Sequence, residues 1–255
     1  MINFFRSFPL IEYAYNNTGS TILSVDINRN VKAYLDEING ANAYLLQNLT
    51  DGIRPDQLSM KLYDTPVYYW TFFVLNERLL NGLHAWPKAS YELSNYIDEK
   101  YYRKSITGYS KEGINNEGHL LYSKTFEVGE TVTGEDSDAT GIISKIDYPM
   151  NRLLLTDVVG TFIDENITGE TSGAIMPSDS TYYVSIEDEK NAAHHYENSS
   201  EASIERLAFN INDNVIEVTN YEYEDKENDG RMQIRVLNPS MINQFATKYK
   251  KLINA

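Results

Sequence analysis

The chain has 255 residues, 42% of them hydrophobic and none of them cysteine, so it can form one large domain or two small ones without disulfides, a thiol nucleophile or cysteine-bound zinc. Its net charge of −15 is concentrated in residues 111–230, where 26 acidic residues accompany 7 basic ones and would repel nucleic acid. No apolar run reaches membrane-spanning length and the first residues are too polar for a signal peptide, which predicts a protein made in a cytoplasm that binds no membrane.

The first hundred residues predict mostly helices. Prolines favour the first turn of a helix, and Pro55 and Pro66 each begin a short apolar pattern. Thr65 can cap the second of these helices, and Asn76 follows its end. The predicted elements in order are a helix over residues 26–40, a strand over 43–49, helices over 55–63 and 66–75, and a helix over 89–103.

An aromatic run occupies the second proline-initiated helix. A two-turn helix cannot bury aromatic side chains on every side within a small unit, so part of the run is expected to face a neighbouring element or subunit. Tyrosine suits such surfaces because it combines an apolar ring with a polar tip. The predicted protein interface contains Tyr68, Tyr69, Trp70, Phe72 and Trp86.

Residues 109–186 differ in composition from the first hundred residues, because they contain short β-prone runs among Gly, Thr, Ser and Asp. Two segments within them resemble each other: FEVGETVTG (126–134) and FIDENITG (162–169), each followed by a turn that contains Ser and Ala. Two copies are too few for a solenoid. The pattern predicts an inserted small β-barrel or sandwich with an all-β fold.

The last part of the chain predicts a polar link, a hairpin and a helix. Residues 187–203 form the link, and the runs 215–223 and 231–237 flank a turn at residues 228–230. The final helix places Ile242, Phe245, Tyr249 and Leu252 on its buried face. Lys248, Lys250 and Lys251 lie in a segment without acids, which indicates a helix end or a contact with an acidic neighbour.

No catalytic, cofactor or metal site is predicted. The strongest metal candidate is a histidine pair with flanking acids: His194, His195, Glu189 and Glu197. Its flanks look loop-like and adjacent side chains point apart, so a solvated link is the better interpretation. The run from Asp225 to Gly230 lacks the acid that a calcium loop needs at its twelfth position, here Val236. Phosphate-binding and hydrolase motifs are absent.

Several short motifs, taken in order, resemble a known family. They are FPLIEY (8–13), VDINR (25–29), RP (54–55), LY (62–63), YW (69–70), Asn76, WP (86–87) and the stretch 231–245. Together they resemble the small baseplate wedge subunit of T-even-like contractile-tailed bacteriophages, over about residues 4–103 and 205–253.

The resemblance implies an α+β fold. Its wedge domain would comprise residues 1–108, with a LysM-like strand-helix-helix-strand unit at about 43–88 and flanking helices. Residues 109–186 would be the insert, and residues 187–255 would complete the domain as a hairpin and helix. The second strand of the LysM-like unit is expected in the run before Pro87.

The resemblance also implies a structural role in the virion tail baseplate, without catalysis. Partners would be other wedge and hub-proximal proteins, with six copies per baseplate and no nucleic acid or membrane. Two alternatives stay open. One is a LysM-type module that binds peptidoglycan, although bulky aromatic residues stand where such modules have shallow polar loops. The other is a glycan hydrolase that uses paired carboxylates.

Overall fold

The computed structural model describes residues 8–14, 19–26, 43–111, 122–198, 203–204 and 215–254. The chain divides into two compact units, residues 1–92 with 227–255 and residues 93–226. The predicted insert, residues 109–186, lies within the second unit, which extends further along the sequence in both directions. The helix predicted over residues 26–40 lies outside the described residues apart from Asp26.

The secondary structure is mixed α and β, as predicted. The strands are β1 Leu10–Ala14, β2 Thr21–Val25, β3 Tyr44–Asn48, β4 Lys104–Ser110, β5 Thr131–Gly134, β6 Thr140–Asp147, β7 Arg152–Val159, β8 Ile167–Gly169, β9 Ile175–Met176, β10 Tyr182–Asp188, β11 Ala193–Glu197, β12 Ser203–Ile204, β13 Ile216–Thr219 and β14 Gln233–Leu237. The α-helices are α1 Pro55–Tyr63, α2 Trp70–Leu75, α3 Ser90–Lys100, α4 Asn220–Asp229 and α5 Ile242–Ile253. Short 3₁₀ helices cover Pro66–Tyr68, Glu77–Leu79, Gly82–Ala85, Tyr122–Thr125, Glu189–Asn191 and Pro239–Met241.

The first unit is built on the antiparallel pair β3–β14, in which Leu45 lies opposite Val236. Helices α1, α2 and α5 supply half of the buried residues in its two apolar clusters. The predicted strand and both proline-initiated helices are confirmed, and the backbone N–H of Val67 donates to the Thr65 hydroxyl at 3.4 Å. The second helix begins as a 3₁₀ turn before it continues as α2.

One prediction for this unit is wrong. The run before Pro87 forms two 3₁₀ helices rather than a strand, so β3 finds its partner in β14, more than 180 residues away. Asn76 connects the end of α2 to that distant strand, since its side-chain amide donates to the carbonyls of Phe72 and Arg235 at 2.8 and 3.0 Å. Its oxygen also accepts from the N–H of Arg235.

The second unit contains a seven-stranded antiparallel sheet in the order β10-β4-β7-β6-β5-β8-β9. The β-rich prediction for residues 109–186 is therefore confirmed. The seven strands are hydrogen-bonded into one sheet instead of the two sheets of a sandwich, and all of them contribute side chains to one core. Beside this sheet, β12, β11 and β13 form a three-stranded sheet. Residues 193–197, predicted as part of a polar link, are thus a strand.

The predicted C-terminal hairpin is also wrong. Residues 220–229 form helix α4, and the flanking strands pair elsewhere, β13 with β11 and β14 with β3. A capping box explains the helix, because Thr219 and Glu222 exchange hydrogen bonds between their side chains and backbone N–H groups at 2.8 and 3.2 Å. The sequence carries this signature as T-N-Y-E.

Candidate protein interface

The strands β1 and β2 form an exposed apolar ribbon. They pair with each other from Leu10↔Val25 to Ala14↔Thr21, and together they make a separate two-stranded sheet. Its exposed apolar side chains are Leu10, Ile11, Tyr13, Ile22 and Leu23, at 40–67% exposure. Glu12 is the ribbon's single charged residue. A two-stranded ribbon is marginal by itself in water, and exposed apolar surface of this kind is typical of protein interfaces.

The aromatic run predicted as an interface divides between core and surface. Trp70 is buried and stacks on Phe245 and Tyr249 of α5, with ring centroids 5.9 and 5.0 Å away. Phe72 is fully buried, and Trp86 is 8% exposed with its indole N–H donating to the Ile53 carbonyl at 2.8 Å. These three side chains pack in the first unit's own core and leave little surface for a partner.

Tyr68 and Tyr69 are the half-buried members of the run. The Tyr68 hydroxyl donates to Asn243 Oδ1 at 2.7 Å on the exposed surface, and its ring meets Tyr63 edge-on. Burial raises the pKa of Tyr63 to about 12, so that phenol stays protonated while it donates to the Leu237 carbonyl at 3.1 Å. Tyr68 and Tyr69 therefore pack against the rings of Tyr63 and Phe73 and remain partly exposed.

An open cleft of about 600 Å³ lies beside Tyr69. Tyr69 and Trp86 supply its aromatic wall, and the charged residues around it are Arg54, Asp56, Lys88 and Glu92. Arg54 and Asp56 pair with each other at 3.1 Å, so the cleft carries charges of both signs.

The three predicted interface lysines lie on α5. Lys251 is exposed, whereas Lys248 and Lys250 are half-buried. The opposite face of the helix is apolar, with Phe245, Tyr249 and Ile253 in the core. Leu252, predicted to be buried, is 44% exposed, and Ile253 takes the buried position instead.

The second unit buries two glutamates that lack the character of catalytic acids. Glu130 accepts hydrogen bonds from the N–H groups of Thr171 and Ser172 and from the Ser172 hydroxyl, at 2.9–3.1 Å. Glu165 does the same for Asp136 and Ser137. Burial would raise both pKa values, but these donors outweigh it and lower them below the usual carboxyl range. A general acid near neutral pH needs the opposite shift.

Within the described ranges, no group of three or more metal-ligating side chains has the geometry of a metal site. The same ranges contain no helix long and apolar enough to cross a membrane. The candidate histidines His194 and His195 do lie together, but beside Glu197 and Tyr223 in β11 and α4 rather than in a loop. Glu189 instead forms an ion pair with Arg103 at 2.9 Å.

The exposed ribbon is the candidate interface feature that the sequence patterns did not predict. Its strands PLIEYA and TILSV surround the turn-prone residues NNTGS, which is a hairpin signature. Leu10 and Leu23 share one face of the ribbon, and Ile11 and Ile22 share the other. Apolar residues on both faces of a short ribbon would have distinguished it from an ordinary surface hairpin, which alternates apolar and polar residues.

An exposed apolar ribbon and partly exposed tyrosines are surfaces typical of an assembly subunit. The model of the family described as base plate wedge protein 53 matches residues 1–128, just over half of the chain. The chain therefore belongs to this family of phage base plate wedge proteins. It is a structural protein of the tail base plate, and other base plate proteins are its partners. No curated protein matches the chain.

Proposed function

We propose that the chain joins neighbouring wedge subunits around the central hub of a T-even-like contractile tail. Six copies per base plate would serve this role. The β1–β2 ribbon is the observation that carries the proposal. It is an apolar two-stranded sheet with both faces exposed, so insertion between two partner surfaces would bury apolar side chains on both faces. Tyr68, Tyr69 and the lysines of α5 would extend the same contact surface.

The test uses a phage that lacks the native protein and is supplied with variants in trans. Leu23→Thr removes an apolar side chain from the ribbon, and Val159→Thr is a matched control because the two residues are 67% and 69% exposed. Complete tails, counted by electron microscopy, should fall several-fold for Leu23→Thr and remain unchanged for Val159→Thr. Equal counts for the two variants would refute the role of the ribbon.

Tyr68 and Tyr69 allow a separate test of the helix face. If they act as anchors, Tyr68→Ala or Tyr69→Ala should weaken assembly by about 2 kcal/mol or more, the loss typical of interface hot spots. Thermal unfolding of the isolated chain should change much less, since both side chains are only half-buried. Assembly at wild-type levels with both variants would exclude them from the interface.

We infer a LysM-like unit with its parts far apart in sequence. Strand β3, helices α1 and α2 and strand β14 give the order strand-helix-helix-strand, with the second strand supplied by residues 233–237 instead of the run before Pro87. In this arrangement the second unit is inserted between α2 and β14.

We propose that its β sheet is a decoration module on the outside of the assembly. A phage whose copy has residues 111–181 replaced by a short Gly/Ser link should still build base plates, whereas absence of base plates would place the sheet within the scaffold.

The cleft beside Tyr69 and Trp86 is where glycan binding, the alternative function, can be tested. An aromatic wall with polar groups of both signs is the kind of surface that accepts a sugar ring. Isothermal calorimetry with soluble peptidoglycan fragments, on the wild type and on Tyr69→Ala, separates the two functions. Binding that Tyr69→Ala abolishes would support the glycan function, and an absence of heat at millimolar fragment would leave the scaffold function.

A further inference from the structure

A β-bulge brings two histidine rings into contact on β11. Ala193 pairs with Thr219 and His195 pairs with Val218, so His194 is an extra residue in that strand. Consecutive side chains on a regular strand point to opposite faces, and a bulge can redirect one of them. Here the two Nδ1 atoms are 2.9 Å apart and the rings meet edge to face.

Proton counting limits the charge that this contact tolerates. His195 Nε2 lies 3.0 Å from a Glu197 carboxylate oxygen, so that nitrogen carries a hydrogen. A hydrogen bond between two Nδ1 atoms contains one hydrogen, donated by one ring to the lone pair of the other. While this hydrogen bond is present, the pair can therefore hold at most one positive charge. A second proton places a hydrogen on both Nδ1 atoms, and the bond between the rings is lost.

The surroundings of the pair favour its low charge. The His194 ring stacks on Tyr223 of α4 at 3.8 Å. The His194 side chain is exposed, but partial desolvation lowers its pKa, and the nearby charge of His195 lowers it further. The charge of Glu224 of α4 raises the pKa of His194, whereas the charges of Lys100 of α3 and Arg152 of β7 lower it. Lys226 contacts Glu197 at 3.4 Å and reduces the attraction of that carboxylate for a second proton.

We propose that His194 and His195 form a proton-operated switch that opens the β11–β13 ladder in mild acid. At neutral pH the Nδ1–Nδ1 hydrogen bond holds the bulge closed. When both rings are protonated, two adjacent imidazolium groups repel each other and the bulged residue loses its partner. Strand β11 is then free to change its register against β13.

The sign of the pH dependence follows from proton binding. Because the folded pKa of His194 is lowered, the open form binds more protons than the closed form. The closed bulge is therefore most stable above the ordinary histidine pKa of about 6.5 and loses stability as the pH falls below it. Uptake of one proton raises the population of the open form by at most about tenfold per pH unit.

Amide hydrogen exchange on the full chain tests the switch. Exchange of residues 193–198 and 215–219 is measured at pH 7.5 and 5.5 and corrected for the intrinsic pH dependence of exchange. In the wild type, protection of these segments should fall several-fold at pH 5.5. In His194→Gln, which cannot take up the second proton, protection should be the same at both pH values. His84→Gln, an exposed histidine of the first unit, is the control and should behave like the wild type.

Two results would overturn the proposal. One is equal protection of the wild-type segments at both pH values. The other is an unchanged pH response in His194→Gln. If this variant fails to fold, ¹⁵N chemical shifts of the wild-type imidazoles provide the second measurement. Two imidazolium rings at pH 5.5 with undiminished amide protection would then refute the switch, and loss of protection in step with the second protonation would support it.

Discussion

At the scale of single residues, Glu130 and Glu165 connect the two repeated segments through hydrogen bonds. They occupy equivalent positions in the two segments, and each carboxylate caps the turn that belongs to the other segment. Gly134 and Gly169 leave room for this exchange. A Cβ at Gly169 would lie 2.7 Å from Glu130 Oε2, and one at Gly134 would collide with Glu165 Oε1. The similar sequences of the two segments therefore correspond to a reciprocal contact, in which the glutamate of each segment binds the turn of the other.

Replacing either glutamate should destabilise the second unit. Glu130→Gln and Glu165→Gln keep the shape of the side chain but remove the charge that the buried N–H groups and serine hydroxyl require. Each variant should lose about 1–3 kcal/mol of unfolding free energy, measured by urea denaturation. Glu127→Gln, an exposed position in the same segment, should change the free energy by less than about 0.5 kcal/mol.

Acid should release the same two contacts. The pKa values of Glu130 and Glu165 are lowered in the folded protein, so their contribution to stability is complete at neutral pH. It is lost as the pH falls below the usual value of 4.5 towards the folded values. Urea midpoints measured between pH 7 and 3 should therefore decrease below pH 4.5, and the decrease should be smaller in Glu130→Gln. An identical pH profile in wild type and variant would contradict this account.

At the scale of elements, the turns of the two segments follow one backbone design. Asp138 and Gly173 occupy the same turn position, and both have left-handed backbone with φ of 55° and 65°. Gly173→Asp copies the first turn into the second, and no atom lies within 4 Å of the added Cβ, so its cost should be limited to the strain of a left-handed residue, about 1 kcal/mol. Gly169→Ala should instead lower the melting temperature clearly, because the added methyl approaches Ser172 and Glu130. Equal effects of the two changes in calorimetry would argue against the close fit at Gly169.

Local sequence patterns predicted those elements whose signals are local. Pro55, Pro66 and Thr65 mark helix starts that the structure contains, and the β texture of residues 109–186 corresponds to strands. Helix α4 was missed because its β-prone tyrosines, Tyr221 and Tyr223, hid a capping box. The pairing of β3 with β14 could not be read from the sequence, since it joins segments more than 180 residues apart.

The candidate interface was only partly predictable for a related reason. Aromatic content correctly marked a dense cluster, but α5 arrives from the other end of the chain and covers Trp70 with Phe245 and Tyr249. Exposure depends on such long-range packing, and no local pattern reports it. The β1–β2 ribbon is the converse case, in which apolar residues that look like core remain uncovered in the single chain.

At the scale of the whole molecule, charge is segregated between the units. The first unit holds 12 basic and 11 acidic residues, whereas the second holds 10 basic and 26 acidic residues. The second unit therefore has a net charge of −16 and the first a net charge of +1. The segment from Arg231 to the C-terminus has five basic residues and no acidic one. This distribution favours a wedge partner with an acidic surface for the first unit.

The lysines of α5 allow that idea to be tested through salt dependence. Helix ends favour cations by about 0.3–1 kcal/mol each, which explains lysines in the last turn but not the absence of acids throughout residues 231–255. Long-range attraction to an acidic partner speeds association and weakens as salt screens it. Changing Lys248, Lys250 and Lys251 together to Gln should therefore slow incorporation into base plates and flatten its dependence on salt. Changing Lys61, Arg78 and Lys88 of the same unit to Gln removes equal charge elsewhere and should preserve the salt dependence. If both triple variants keep the wild-type rate and salt slope, the lysines serve only the end of the helix.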